Sequence, residues 1–285
     1  MYDFPLDSDL ARSLIACQFP QWADLPIWPI EQMGHDNRTF HLGDELTVRL
    51  PSDPSYVDHI PCEILCLTKL QPYLDVRIPE CVGEGKACDL FPAPWTVNRF
   101  IPGKTISHDT VPHDKEVQLA RDIRHALFQL QAAPTMNAPE AGKHCWYRGC
   151  HPSVYEAETL AALEKWKDVL PVAALRSIWD QAMATRYDRD PVWFHGDVAV
   201  GNLLVQDGRL CAMIDFGTSA VGDPACDYVM AWTFFSAPAR EVFLAGLDED
   251  MILRAKAWAI WKALICFDGA PDSPHLQILQ AALEG

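Results

Sequence analysis

The sequence predicts an α+β chain in two lobes: a small antiparallel sheet with one helix, then a mainly helical lobe with a β-hairpin in its middle. Three observations predict it. Short alternating runs bounded by Gly and Pro occupy residues 39 to 100, and apolar residues at helical spacing dominate after residue 114. A single Asp-Gly turn between two apolar runs then interrupts the helices. The length of 285 residues suits one large domain or two lobes, and 49% apolar with 22% charged residues is the balance of a folded core.

Each element follows from local pattern. Asp7 or Ser8 caps a helix whose Leu10, Leu14 and Ile15 share one face, and Pro20 stops it. Thr39–Leu42 and Leu46–Leu50 flank Gly43-Asp44 as a hairpin, closed by Pro51. Residues 57 to 70 place Ile60, Ile64, Leu67 and Leu70 on one stripe, with Pro61 tolerated in the first turns. Strands are expected at 76–82 and 95–100, after which Ile101-Pro102-Gly103 breaks the pattern. The lobe boundary therefore falls there, dividing 1–100 from 101–285. Helices are expected over 114–132, 153–168 and 172–187. Leu203–Val205 and Leu210–Ile214 form the second hairpin through Asp207-Gly208, followed by helices at 223–235, 238–246 and 249–267.

Composition excludes some functions. The chain has 23 Lys+Arg against 39 Asp+Glu, a formal charge of −16, which argues against a nucleic-acid partner whose phosphates need a basic face. A cationic partner fits better, although the acid is spread over both lobes and marks no pocket. No apolar run reaches the ~18 residues of a membrane span, and the N-terminus lacks a basic signal segment, so a cytoplasmic protein without a membrane partner is expected. The ten cysteines then read as reduced thiols. His144, Cys145, Cys150 and His151 supply zinc-type atoms, but adjacent pairs four residues apart would strain to wrap one tetrahedral ion.

The second hairpin carries the chemistry. Trp193-Phe194-His195-Gly196-Asp197 precedes it, Asn202 lies five positions after Asp197, and Ile214-Asp215-Phe216-Gly217 follows it. Phosphoryl transfer runs on positioning and charge neutralisation, so it needs a carboxylate beside the incoming hydroxyl and oxygen ligands for magnesium. Asp197 suits the first role. Asn202 suits a metal ligand that adds no charge, and Asp215 one that chelates. His195 reads as a buried scaffold residue.

In these motifs the chain resembles the aminoglycoside phosphotransferase family, small-molecule kinases with a two-lobed protein-kinase-like fold. The resemblance covers roughly residues 30 to 265, and is most specific in His195-Gly-Asp-Val-Ala-Val-Gly-Asn202 and in Ile214–Asp227. It implies that Asp197 is the base or hydroxyl-orienting residue, that Asn202 and Asp215 hold Mg2+, and that Asp227 is a buried structural acid. The first lobe would bind the nucleotide, ATP or GTP, and the second would hold the catalytic loop, metal site and acceptor cleft. Gly34-His35-Asp36-Asn37-Arg38 stands where the family's nucleotide-covering loop lies. In place of the kinase lysine the chain has Arg49, in Val48-Arg49-Leu50-Pro51, with Glu63 as its ion-pair partner. Arginine keeps the charge and binds phosphate bidentately without being equivalent to lysine. Asn98, Arg99, Phe100 and Ile101 match the connection between lobes, whose backbone around 99–101 would hydrogen-bond the base.

The resemblance implies an O-phosphotransferase acting on a small, cationic molecule, foremost an aminoglycoside antibiotic. A macrolide, an amino alcohol or an amino sugar is the alternative acceptor, and a catalytically silent nucleotide-binding protein the alternative class. A protein acceptor is disfavoured, because Pro224 follows Asp215 by nine positions with no Ala-Pro-Glu after it. Asp223, Asp248, Glu249, Asp250 and Asp268 are acidic candidates for the acceptor cleft, or else helix caps.

Overall fold

The computed structural model describes residues 2–31, 34 and 36–284. Asp7 caps the first helix, α1 (Ser8–Gln18), its carboxylate accepting from the Asp9 and Leu10 amides at 3.1 and 3.0 Å, a cap that contributes about 1 kcal/mol. Five strands follow: β1 (Ile27–Pro29), β2 (Asn37–Leu42), β3 (Leu46–Pro51), β4 (Cys81–Gly85) and β5 (Trp95–Arg99). They form one antiparallel sheet in the order β1-β2-β3-β5-β4.

Strand alternation gives this sheet two unlike faces. Phe40, Leu42, Leu46, Val48, Leu50 and Val97 pack with Ala11, Leu14 and Ile15 of α1 into the first core. Each fully buried Leu or Ile there is worth about 1.5–3 kcal/mol. The opposite face carries Thr39, Arg49 and Thr96 across one row, and His41, Thr47 and Asn98 across the next. That polar face looks into the cleft.

Helix α2 (His59–Leu70) connects β3 to β4, and its Cys66, Leu67 and Leu70 bury in the larger second core. The helix thus rests on the second lobe while Glu63 reaches back to the sheet. The strand expected over 76–82 divides in two. Pro79 has no amide to continue a ladder, so Arg77 pairs with the later hairpin (Met213 N–H to Arg77 O, 3.0 Å) and Cys81–Gly85 joins the sheet.

The second core is enclosed by α3 (Glu116–Ala132), α4 (Glu156–Lys165), α5 (Val172–Met183), α6 (Met230–Thr233), α7 (Ala237–Leu244), α8 (Glu249–Cys266) and α9 (Pro274–Glu284). Two small sheets lie among them: β6 (Lys104–Thr105) with β8 (Leu203–Gln206) and β9 (Arg209–Met213), and β7 (Val192–Phe194) with β10 (Ala220–Gly222). Asp207 and Gly208 both have positive φ, 53° and 74°, as a two-residue hairpin turn requires. The helix expected over 223–235 is a 3₁₀ turn, Pro224–Tyr228, followed by the short α6. Strands β1, β6, β7 and β10 have two or three residues, too few to show a period. Among the described residues no helix is long and apolar enough to cross a membrane.

Candidate active site

The β8–β9 hairpin brings two sequence-predicted residues side by side. Leu203 pairs with Met213, and the Ile214 amide donates to the Asn202 carbonyl at 2.9 Å, so the ladder runs to the foot of the hairpin, where Asn202 and Asp215 stand at adjacent positions. Asp215 adopts φ 68°, a left-handed conformation that Asp tolerates better than bulkier residues. Its carboxyl is pushed up to about 6, first by burial and then by the Glu63 carboxylate, against the pull of Arg49. A carboxyl so placed gains from a bound cation.

Asn202 connects the hairpin to the loop that bears Asp197. Its Nδ2 donates to Asp197 Oδ2 at 2.7 Å and to the Asp197 carbonyl at 3.0 Å, which orients the carboxylate without using the Asn202 amide oxygen. Asp197 itself is exposed.

Behind Asp197 the loop is anchored by buried groups. Asp227, 0% exposed, accepts from the His195 and Gly196 amides, one to each oxygen, both at 2.7 Å. Burial raises its carboxyl to about 6, against His195 and those two bonds. The Asp197 amide donates to His195 Nδ1 at 3.2 Å, so the ring proton sits on Nε2 and is donated to the Ile214 carbonyl at 3.0 Å. His195 therefore links the Asp197 loop to the residue before Asp215. Thr218 and Ser219 hydroxyls donate to the His195 carbonyl, each at 3.1 Å. Gly196 has φ 87°, and a Cβ there would lie 2.7 Å from the Thr218 carbonyl oxygen, so only glycine fits.

Arg49 on β3 and Glu63 on α2 meet as Nη1–Oε1 at 3.0 Å, with side chains 16% and 13% exposed. Burial works against the guanidinium charge, but Glu63, Asp215 and Asp36 outweigh it and hold Arg49 above its ordinary value. Arg49 thus faces three acidic groups at the cleft. Asp36 borders it from the segment expected to cover the nucleotide; His35 of that segment lies outside the described residues.

At the lobe junction the Arg99 amide donates to the Glu80 carbonyl (2.9 Å) and the Phe100 amide to the Glu45 carbonyl (2.7 Å). Those two donors are taken within the sheet. Among the described residues the Ile101 amide has no backbone partner. The Arg99 side chain points away to an exposed ion pair with Glu80 at 2.7 Å.

Several residues around the site were not marked by sequence pattern. Arg148 Nε donates to the Gly196 carbonyl at 3.2 Å, and its guanidinium lies 5.3 Å from the ring centres of Trp258 and Trp261. Trp146 and Tyr147 have φ 52° and 55° and are 54% and 39% exposed. The Trp146 ring stacks on His59 at 6.3 Å, and His59 Nδ1 lies 3.4 Å from the Gly217 carbonyl oxygen. This strained aromatic segment thus borders both the Asp197 loop and the Asp215 loop. Nothing in the run 142–149 shows a period, so its aromatics carry no sequence signal of their own.

Other candidates have structural roles. Asp223 forms a buried ion pair with Arg254 at 2.6 Å and caps the turn at Pro224. Asp248 caps α8 and pairs with Arg189, and Asp268 accepts from the Ala270 amide. Glu249 and Asp250 occupy the first turn of α8, where acid is favoured by the helix dipole. His151 caps the turn after it through Nδ1, Cys145 is buried, and among the described residues no three His, Cys, Asp or Glu converge as a metal site.

Comparison with known proteins agrees with this fold. The model of the phosphotransferase enzyme family matches residues 30–264. A GDP complex of an aminoglycoside 2'-phosphotransferase IIIa variant shares the fold with TM-score 0.70 at 20% identity, covering 98% of this chain and 97% of that one. The macrolide 2'-phosphotransferase MphH from Brachybacterium faecium does so with TM-score 0.64 at 21% identity, covering 98% of each. The serine/threonine-protein kinase SULU of Caenorhabditis elegans is 30% identical over 125 residues, 44% of this chain and 12% of that protein. The chain spans less than a third of the length of the curated kinases it matches.

Proposed function

The chain belongs to the phosphotransferase enzyme family, and from that premise we propose that it transfers the terminal phosphoryl group of ATP or GTP, with Mg2+, to a hydroxyl of a small cationic acceptor. An aminoglycoside is the leading acceptor, ahead of a macrolide or an amino-sugar metabolite. The observation that carries the reading is the Asn202 bridge, which ties Asp197 to the foot of the hairpin that bears Asp215.

Each residue then has a task. Asp197, exposed and oriented by Asn202, positions the acceptor hydroxyl and takes its proton. Asp215 and the Asn202 amide oxygen are hard oxygen donors of the kind Mg2+ takes, and an elevated, half-buried carboxyl beside Glu63 fits a divalent cation. When bound, that ion neutralises the charge that develops on the phosphates. Arg49, held by Glu63, supplies a fixed guanidinium for the phosphate oxygens. The Ile101 amide, without a backbone partner among the described residues, offers a donor to the base edge.

A small acceptor is favoured over a peptide. From Phe216 to Gly222 the chain is taken up by one turn, Phe216–Thr218, and by β10 paired to β7, with Asp223 capping the next turn. No length remains to build a peptide platform. The exposed faces of Trp146 and Tyr147 offer an acceptor sugar ring a flat wall.

The test is magnesium-dependent nucleotide consumption, screened across aminoglycosides, macrolides and amino sugars, for wild type, Asp197→Ala and Asp215→Ala. Stimulated turnover in wild type alone is expected, with Asp197→Ala reduced about 10²–10⁴-fold. Equal background turnover in all three proteins would sink the kinase reading.

A further inference from the structure

Arg148 reaches the Asp197 loop from a segment that carries no motif. Its Nε donates to the Gly196 carbonyl at 3.2 Å and its Nη1 to the Trp146 carbonyl at 3.4 Å. Both partners are main-chain oxygens rather than carboxylates. The guanidinium also lies 5.3 Å from the ring centres of Trp258 and Trp261, which are 2% and 5% exposed, so indole faces replace water around the charge.

The carbonyl it holds belongs to the peptide that leads into Asp197. Gly196 has φ 87° and no Cβ to restrict rotation, so hydrogen bonds fix that peptide plane. At one end the Asp197 amide donates to His195 Nδ1 at 3.2 Å, and at the other the Gly196 oxygen accepts from Arg148. Loss of the guanidinium frees the oxygen end and removes the polarisation that strengthens the amide end. Arg148 is braced in turn: Tyr155 stacks on Trp261 at 3.9 Å, and its hydroxyl donates to the same Trp146 carbonyl at 2.8 Å. Helix α8, the 146–148 segment and the Asp197 loop thus meet at one side chain.

We propose that Arg148 is a positioning residue, which clamps the Gly196–Asp197 peptide and so holds the Asp197 carboxylate in line with the acceptor hydroxyl. The proposal rests on the phosphotransferase reading of Asp197 and adds to it a group that acts through the loop, without contact to the phosphates.

The experiment compares wild type with Arg148→Met, which fills the space between the indoles without charge or donor, and with Arg148→Lys, which keeps the charge. Magnesium-dependent turnover is measured with whichever of ATP and GTP wild type consumes faster. The acceptor is the most stimulating compound of the screen, or water where none stimulates, and binding of the same nucleotide is followed by titration calorimetry. Arg148→Met is expected to lose about 10- to 100-fold in kcat, as the loss of one charged hydrogen bond implies, with the nucleotide dissociation constant unmoved within about twofold. Arg148→Lys is expected to fall between Arg148→Met and wild type. A kcat for Arg148→Met within about twofold of wild type, a lysine variant no better than the methionine one, or a dissociation constant that rises in step with the loss of kcat overturns the proposal and leaves the kinase reading intact. Absence of turnover in wild type overturns both. If the methionine variant does not fold, Arg148→Gln is held to the same limits.

Discussion

Replacing Asp227 with asparagine separates what this buried acid does for stability from what it does for the loop that bears Asp197. Its two oxygens each accept one backbone N–H at 2.7 Å, from His195 and Gly196, at 0% exposure. Asparagine offers one oxygen and one NH2, so one of the two amides meets a donor and loses its partner, at a cost of about 3 kcal/mol. Against this stands the burial of the charge, which lifts the carboxyl from 3.8 to about 6. The folded state therefore holds the proton more tightly than the unfolded state. The wild-type contribution is present in full below about pH 3.8 and is lost as pH rises through 6, about 3 kcal/mol in all. Asparagine does not titrate. The advantage of wild type over Asp227→Asn thus shrinks from about 3 kcal/mol at low pH to near zero at pH 7.5, with roughly half of the change between pH 5 and 7.5. Urea unfolding followed by tryptophan fluorescence across that range measures it. At pH 7.5 the variant keeps near-normal stability but loses about tenfold or more in kcat, because the loop bearing Asp197 is no longer held at both amides. A stability gap that stays constant or widens with rising pH would refute the reasoning, by showing that the two amide bonds outweigh burial.

Other perturbations act on separate parts of the site. Arg49→Ala strips Glu63 of its partner and removes the cation facing Asp215, so the nucleotide dissociation constant rises about tenfold or more, whereas Arg49→Lys restores part of it; calorimetry distinguishes them. Arg254→Leu strands the Asp223 carboxylate in the core at 5% exposure and costs about 3–5 kcal/mol in urea unfolding. Adding Asp223→Asn recovers part of that loss. Trp146→Ala, at a residue 54% exposed, changes stability by less than about 1 kcal/mol and raises the KM of the best acceptor about fivefold, with nucleotide KM unmoved; an unchanged acceptor KM would remove Trp146 from the acceptor wall.

Much of the fold was legible because its signals are local. The Asp207-Gly208 turn, the capping Asp7 and the apolar stripes of α1, α2, α3 and α8 act within one or two turns of chain, and each forms where the pattern places it. Elements without enough residues to show a period were missed, among them β1, β6, β7 and β10. The run 76–82 looked like one strand because alternation cannot tell which neighbour an extended segment will join. Around the site, Asp197, Asn202 and Asp215 were legible as an ordered set across one hairpin. Arg148, His59 and Trp146 were not, since each enters through a contact with a distant loop.

By itself the sequence determined the two-lobed α+β order, the hairpin that joins Asn202 to Asp215 and the residue types available around it, because these depend on spacing and on the conformational preferences of single residues. Tertiary structure alone decided which of those groups remain unpaired. It consumed the Arg99 and Phe100 amides within the first lobe, left the Ile101 amide without a backbone partner among the described residues, and turned Asp223 into an ion pair for Arg254. It also raised Asp215 and Asp227 to about 6. The physical reason is that hydrogen-bond pairing and desolvation depend on what lies within a few ångströms, and those neighbours come from strands and loops far apart in the chain.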